Sequence, residues 1–340
     1  MLRLITRINK SKFSSNAEPL QRGFKILTKN SQASGAEFKV DLKKLSKLRK
    51  ETQIQVGKAR EALFISNNDY DKALEWIKSQ ELAMGAKRAE KIKDRAVGAS
   101  VITTFIDQSR GLGAIIKISC ETDFVSRNET FQQLATRVCE VAAGISSKQL
   151  EKVNVEQVLE SELPEEGLKV KELIQQNIGK LGENIVLKDA AGINLGIEGE
   201  ESHKKAIAGY VHGASVPGGT SGKIASLLVL NVDSESKAAT NNPEFTKFSK
   251  RLAQQVVGYK PLFIQEKEFQ EAQSKVVTSS SGECSQIFSN PLDKQTVLLN
   301  QEYMFGGEGI STVEDALSLS GKAQNISLAI DSVAWFDSES

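Results

Sequence analysis

The chain has 340 residues, 39% of them apolar and 26% charged, and a formal net charge of +1. That length accommodates two or three domains with a sizeable core. No apolar run approaches the ~18 residues of a membrane-spanning helix, which excludes an integral helical membrane protein. Cys120, Cys139 and Cys284 are odd in number and far apart, which excludes a disulfide framework and fits a reducing compartment.

The near-neutral total hides an asymmetry. Residues 1–95 carry 22 Lys/Arg against 11 Asp/Glu, and residues 96–340 carry 22 against 32. Part of the basic excess lies at the very start. Met1 to Ala17 holds no acidic residue, Arg3, Arg7 and Lys10 share one helical face, Leu4, Ile5 and Ile8 share the other, and Ser11, Ser14 and Ser15 follow. A basic, amphipathic, Ser-containing and acid-poor start is the pattern of a mitochondrial transit segment, expected over residues 1–35, and it directs the protein to the mitochondrial matrix. A disordered basic tail is the alternative. A secretory signal would need a continuous apolar stretch that is missing.

Three short helices are expected next. Asp41 is placed to cap a first helix with Leu42, Leu45 and Leu48 on one face. A break follows over Gln53-Ile54-Gln55-Val56-Gly57, and Ala59–Phe64 reads as the second helix. Asn67-Asn68-Asp69 is a turn-and-cap cluster, after which Tyr70, Ala73, Leu74 and Ile77 start the third helix. Such a set over residues 40–85 has the build of a ubiquitin-associated-like bundle. Lys87, Arg88, Lys91, Lys93 and Arg95 then form a basic joining segment. It reads as a solvated helical linker in preference to an RNA contact, because no stacking aromatics are interleaved.

The remainder repeats one pattern. Val101–Ile106, the turn Ser109-Arg110-Gly111 and Leu112–Ser119 form one hairpin. Ile207–His212, a glycine-rich turn over Pro217–Gly222 and Lys223–Val232 form another. Helical stretches follow each, at 127–144 and 243–258. The fold class is therefore α+β: the helical bundle, then two α+β subdomains with small antiparallel sheets, spanning 86–205 and 206–340. Residues 145–185 read as mostly helical, Thr278–Gly282 as a Ser-rich loop, and the end as a helix near Val313–Leu319 and a strand from Ile326 to Trp335.

The connection after the first hairpin is unusual. Cys120-Glu121-Thr122-Asp123-Phe124-Val125-Ser126-Arg127-Asn128 sets a carboxylate beside a large aromatic between a strand and a helix. Ser126 and Glu129 have the spacing of a capping box, and Phe131, Leu134, Ala135, Val138 and Ala142 recur at helical spacing. Position alone leaves Phe124 either a staple on its own helix or an exposed wedge.

No catalytic set can be assembled. His203 and His212 lack partners at a metal-ligand spacing. Gly218–Lys223 fails as a phosphate loop, since Ile224 stands where Ser or Thr is required and the segment lies between two strands. The chain does not read as an enzyme, and no metal or cofactor is expected.

Thr122-Asp123-Phe124-Val125, after a strand and before a capped helix, resembles the central motif of the elongation factor Ts family. The resemblance extends to Leu42–Leu63, Lys180-Leu181-Gly182-Glu183-Asn184-Ile185, Gly209-Tyr210-Val211-His212-Gly213, Ala253–Ile264 with Tyr259-Lys260-Pro261, and a late strand at Leu299–Phe305. It covers about residues 41–340 in order, and with the transit-like start it is to the mitochondrial form. It implies a guanine-nucleotide exchange factor whose partner is mitochondrial elongation factor Tu, GDP-bound or nucleotide-free. It implies that Thr122, Asp123, Phe124 and Val125 form a wedge near the partner's magnesium site and that His212 makes a second contact. Direct nucleic-acid or membrane binding is not implied. The residues themselves leave open a ubiquitin-associated-like adaptor or an RNA-binding protein. This chain departs from the family at Gln53–Gly57, where the family has a Gly-rich, Met-containing turn. It departs again at 265–290, which is too short for the helical hairpin of bacterial members.

Overall fold

The computed structural model describes residues 39–52, 54–164, 167–196, 204–214, 218–233, 242–271, 296–307 and 309–339. The 1–35 segment, the 278–282 loop, His203 and Cys284 lie outside the described residues. Two compact units divide the chain, Met1–Ile77 and Lys78–Ser340.

In the first unit the helices are α1 (Leu42–Thr52), α2 (Val56–Ile65) and the start of α3 (Tyr70–Ile92). Asp41 caps α1 as expected, its Oδ1 accepting from the amides of Lys43 and Lys44 at 2.8 and 3.2 Å. Asn67 and Asn68 take left-handed backbone (φ 50° and 61°), which Asn tolerates better than bulkier residues. The Asn68 amide then accepts from Asp41 N and donates to Lys39 O, fastening the turn to the start of α1. Leu45, Leu48, Ala59, Ala62, Leu63, Ala73 and Ile77 form the core. Leu42 does not join them: it is 71% exposed, since it stands at the first helical position, outside the Leu45/Leu48 stripe. Val56 and Gly57 belong to α2 and not to the break before it.

The second unit is α+β. One sheet has the order β3-β4-β2-β1-β6, built from β1 (Ala99–Asp107), β2 (Leu112–Cys120), β3 (Glu151–Lys152), β4 (Ile185–Asn194) and β6 (Ser221–Gly222). The other runs β5-β7-β8, with β5 (Lys205–His212), β7 (Ile224–Asp233) and β8 (Ser327–Asp337). Both expected hairpins form as antiparallel pairs, in register from Ala99↔Cys120 to Asp107↔Leu112 and from Lys205↔Asn231 to His212↔Ile224. The glycine-rich turn of the second is not only a turn. Its Ser221-Gly222 crosses over and pairs with Ile102 and Thr103 of β1.

The sheets face one another. Ile102, Ile115, Ile193, Ile207, Leu227 and Val229 fill the layer between them. The outer faces are covered by α5 (Glu129–Ile145), α6 (Val155–Glu160) and α7 (Val170–Leu181) on one side, and by α8 (Pro243–Tyr259) and α9 (Val313–Gln324) on the other. In β2, Ile115 points into the middle layer while Ala114, Ile116, Ile118 and Cys120 face α5. In β7, Leu227 and Val229 face the middle while Leu228 and Leu230 face the helices. A strand buried on both faces reads as a continuous apolar run, which is how Leu112–Ser119 and Ile224–Val232 look in the sequence. Each fully enclosed Leu or Ile contributes ~1.5–3 kcal/mol.

Two further expectations are corrected. The cap of α5 is Asn128, whose Oδ1 accepts from Thr130 N at 2.8 Å; Ser126 ends a separate short helix, α4 (Asp123–Ser126). Leu299–Phe305 is not a strand. Leu298–Asn300 is a single 3-10 turn, Glu302 makes one isolated bridge to Thr312, and Met304 N donates to the buried Gln255 Oε1 at 2.9 Å. Local turn bonds and one buried amide satisfy the backbone that a ladder would have used.

Candidate functional site

Strand β2 ends at the fully buried Cys120 and the chain turns outward. Thr122, extended at φ −126°, caps α4 by accepting from Val125 N through Oγ1 at 3.4 Å. The turn closes with Ser126 Oγ donating to Asp123 O at 2.8 Å and Asn128 N to Val125 O at 2.9 Å. The motif splits by side chain. Val125 is half-buried against the α5 core, whereas Phe124 is 83% exposed, the most exposed of the described large apolar side chains. A staple on its own helix would bury that ring, so the staple reading fails. Asp123 is exposed beside Arg127, 3.5 Å away.

A second segment holds this turn from below. After α7 the chain reverses through Gly182, whose φ of 86° is left-handed and suits glycine. It then presents Glu183 and Asn184. The Glu183 carboxylate accepts from Thr122 N (2.9 Å) and Thr122 Oγ1 (2.7 Å). Asn184 N donates to Glu121 Oε1 (2.7 Å), and its side-chain amide donates to Lys93 O and Arg95 O (3.1 and 2.9 Å). Arg95 pairs with Glu121 at 3.5 Å. Residues 93–95, 121–122 and 183–184 are thereby stitched together. The sequence offered Gly182-Glu183-Asn184 only as part of a resemblance. A contact across 61 residues leaves no periodic or spacing signal that would give it a role.

Burial pushes the Cys120 thiol up to about 12, the negative charge of Glu183 adding to the effect. Burial raises Cys139 as well. Both are thiols at neutral pH and poor nucleophiles. Among the described residues no three of His, Cys, Asp and Glu converge as metal ligands. The basic joining segment comprises the C-terminal end of α3 and the short stretch from there to Arg95. Arg88 reaches Gly179 O and Gly182 O, Lys93 pairs with Glu90, and Arg95 with Glu121. Three of its five cations are therefore engaged with the protein itself.

His212 is exposed at the end of β5, on the other sheet. Its ring lies 6.5 Å from that of Tyr210. The segment that leaves it is anchored on the first sheet: Thr104 N donates to Thr220 O at 2.8 Å, and Thr103 Oγ1 and Ser221 Oγ share a buried hydrogen bond of 2.8 Å. Thr122–Val125 form one contiguous site. No described hydrogen bond or ring contact joins His212 to it.

The sequence model of the family described as Elongation factor TS matches residues 121–333, beginning at the residue that follows β2. The chain belongs to the elongation factor Ts family. Relatives agree. It is 32% identical over 248 residues to a Coprinopsis cinerea protein named elongation factor Ts, mitochondrial, covering 66% of this chain and 74% of the relative. A Dictyostelium discoideum protein of the same name is 29% identical over 314 residues, 86% of this chain and 84% of its own. A Clostridium acetobutylicum elongation factor Ts is 30% identical over 222 residues, 65% and 63%. Membership of the elongation factor Ts family makes this a protein of translation elongation.

Proposed function

We propose that this protein is a guanine-nucleotide exchange factor for mitochondrial elongation factor Tu and catalyses no covalent chemistry. It engages the GDP-bound or nucleotide-free partner and drives out GDP by inserting Phe124, flanked by Asp123 and based on Thr122 and Val125, beside the partner's magnesium site. The observation that carries this reading is Phe124, a ring 83% exposed on a turn fixed by hydrogen bonds at both ends. A ring so presented arrives at a partner without first being prised from its own core.

Linkage supplies the mechanism. A factor that binds the nucleotide-free partner more tightly than the nucleotide-bound one weakens nucleotide binding by the same ratio. Magnesium requires near-ideal octahedral geometry, so small displacements of its surroundings loosen it. Accelerating release ~1,000-fold takes roughly 4 kcal/mol from the barrier. Burying one Phe supplies ~1.5–3 kcal/mol, and only the part gained in the exchange complex counts. Phe124 therefore acts with further contacts, which we assign to His212 on the second α+β subdomain (206–340) and to the helical bundle (40–85). The acid-free amphipathic start and the mitochondrial names of the relatives support a place in the mitochondrial matrix.

The test is stopped-flow release of fluorescent GDP from mitochondrial elongation factor Tu. Acceleration that saturates with added protein supports the proposal; release at the intrinsic rate at every concentration refutes it.

A further inference from the structure

We infer that Glu183 is the positioning residue of the exchange wedge, its carboxylate gripping Thr122 so that Phe124 projects in one direction. The inference rests on the exchange reading above and adds to it a residue outside the Thr-Asp-Phe-Val motif.

A helix of four residues cannot hold its own shape, because nucleation costs more than one turn of hydrogen bonds returns. The internal cap of α4, Thr122 Oγ1 to Val125 N, is long at 3.4 Å. The two bonds from Thr122 to Glu183 are short, at 2.9 and 2.7 Å, and charge-assisted. One carboxylate thus fixes both the backbone amide and the hydroxyl of Thr122, which sets the backbone direction and the side-chain rotamer of the residue on which α4 is built. Two residues on stands Phe124.

Glu183 is itself held. It sits between the left-handed Gly182 that ends α7 and Asn184, which is 4% exposed and makes three hydrogen bonds of its own. The pairing is reciprocal: Glu183 receives the Thr122 amide while Glu121 receives the Asn184 amide. Helix α7 buries Leu173, Ile174 and Ile178 in the α5 core. The wedge is therefore referenced to the core through Glu183 at its base as well as through Val125 and Ser126 at its end. The Thr122–Glu183 bonds lie at the surface, where such bonds add little to folding. Removing them should redirect the ring and leave the fold standing.

The experiment measures fluorescent GDP release from mitochondrial elongation factor Tu against concentration of the full chain, separating the plateau rate from the half-saturating concentration. Glu183→Ala is expected to lower the plateau roughly ten-fold, about 1.4 kcal/mol, with a half-saturating concentration within ~3-fold of wild type. Glu183→Gln, which keeps one acceptor, should recover most of the plateau. Thr122→Val, which loses the hydroxyl bond and the cap on Val125 N while keeping the amide bond, should also lower the plateau. The double variant should lose less than the two single losses combined, since both disturb the same contact. An unchanged plateau in Glu183→Ala overturns the inference. So does a loss confined to half-saturation and thermal stability, which a structural role would give, or strictly additive losses in the double variant. Phe124→Ala separates the two levels. If it too keeps the wild-type plateau, the wedge reading has failed; if it falls while Glu183→Ala does not, only the role of Glu183 has.

Discussion

The two halves of the α+β unit use the same parts to different ends. Each pairs two long strands antiparallel and later lays a 17-residue helix on the outer face, α5 in the first half and α8 in the second. Each helix is capped by an asparagine, Asn128 or Asn242, accepting from the amide two residues on at 2.8 or 3.0 Å. They differ in what the connections carry. In the first half the link from β2 to α5 lifts Phe124 into solvent on a base tied to Glu183. In the second, the link from β5 to β7 turns back and lends β6 to the neighbouring sheet, leaving His212 on strand backbone paired with Ile224. The helices and sheets supply rigidity, and the connections are where the two halves diverge.

The sharpest way to probe that contrast is to truncate two phenylalanines seven residues apart. Phe131, on the inner face of α5, is fully buried, so Phe131→Ala should cost ~3–5 kcal/mol in urea unfolding. Phe124→Ala should change stability by less than about 0.5 kcal/mol. Equal losses would mean that the exposed ring is a core residue after all. Next in size is the crossover. A Cβ on Gly222 would lie 2.5 Å from His212 O and 3.0 Å from Ala214 N, backbone atoms that cannot step aside. Gly222→Ala should therefore destabilise by ~1–3 kcal/mol; a wild-type unfolding midpoint would show that β6 is dispensable.

A smaller effect concerns the end of β8. Burial alone would raise the Asp337 carboxyl, but the Glu339 amide, the Lys260 ammonium and the charge of Lys117 outweigh it and hold it below the usual carboxylate range. A carboxyl lowered in the folded state contributes stability above its unfolded value near ~3.9 and loses it as pH falls toward the folded one. Asp337→Asn should cost on the order of 1 kcal/mol at pH 7, the gap to wild type closing below about pH 4. A gap independent of pH would assign the loss to packing. Smallest of all, His212→Ala should raise the half-saturating concentration in exchange about 2–5-fold and leave the plateau alone; a fallen plateau would make His212 part of the release step.

Much of the fold was legible because burial on both faces and helical spacing leave marks along the chain. The apolar runs at 112–119 and 224–232, the Phe131–Ala142 stripe and the Asn67-Asn68 turn all appear where the sequence puts them. Local competition was harder to read. Ser126 and Asn128 both suit a cap, and only the extra turn of α4, held by Thr122, decides for Asn128. Leu299–Phe305 is expected as a strand only from the family resemblance, yet the buried Gln255 takes the Met304 amide that a neighbouring strand would have needed. The Phe124 ring was legible as a feature but not as exposed or buried, since no local spacing records which side chains the rest of the fold covers.

Stopped-flow GDP release at saturating concentrations of wild type and Phe124→Ala tests the central claim most directly. An inserted ring predicts a plateau lowered ~10-fold or more, the share that ~1.5–3 kcal/mol of buried phenyl represents, in a variant that unfolds like wild type. A plateau equal to wild type would contradict it.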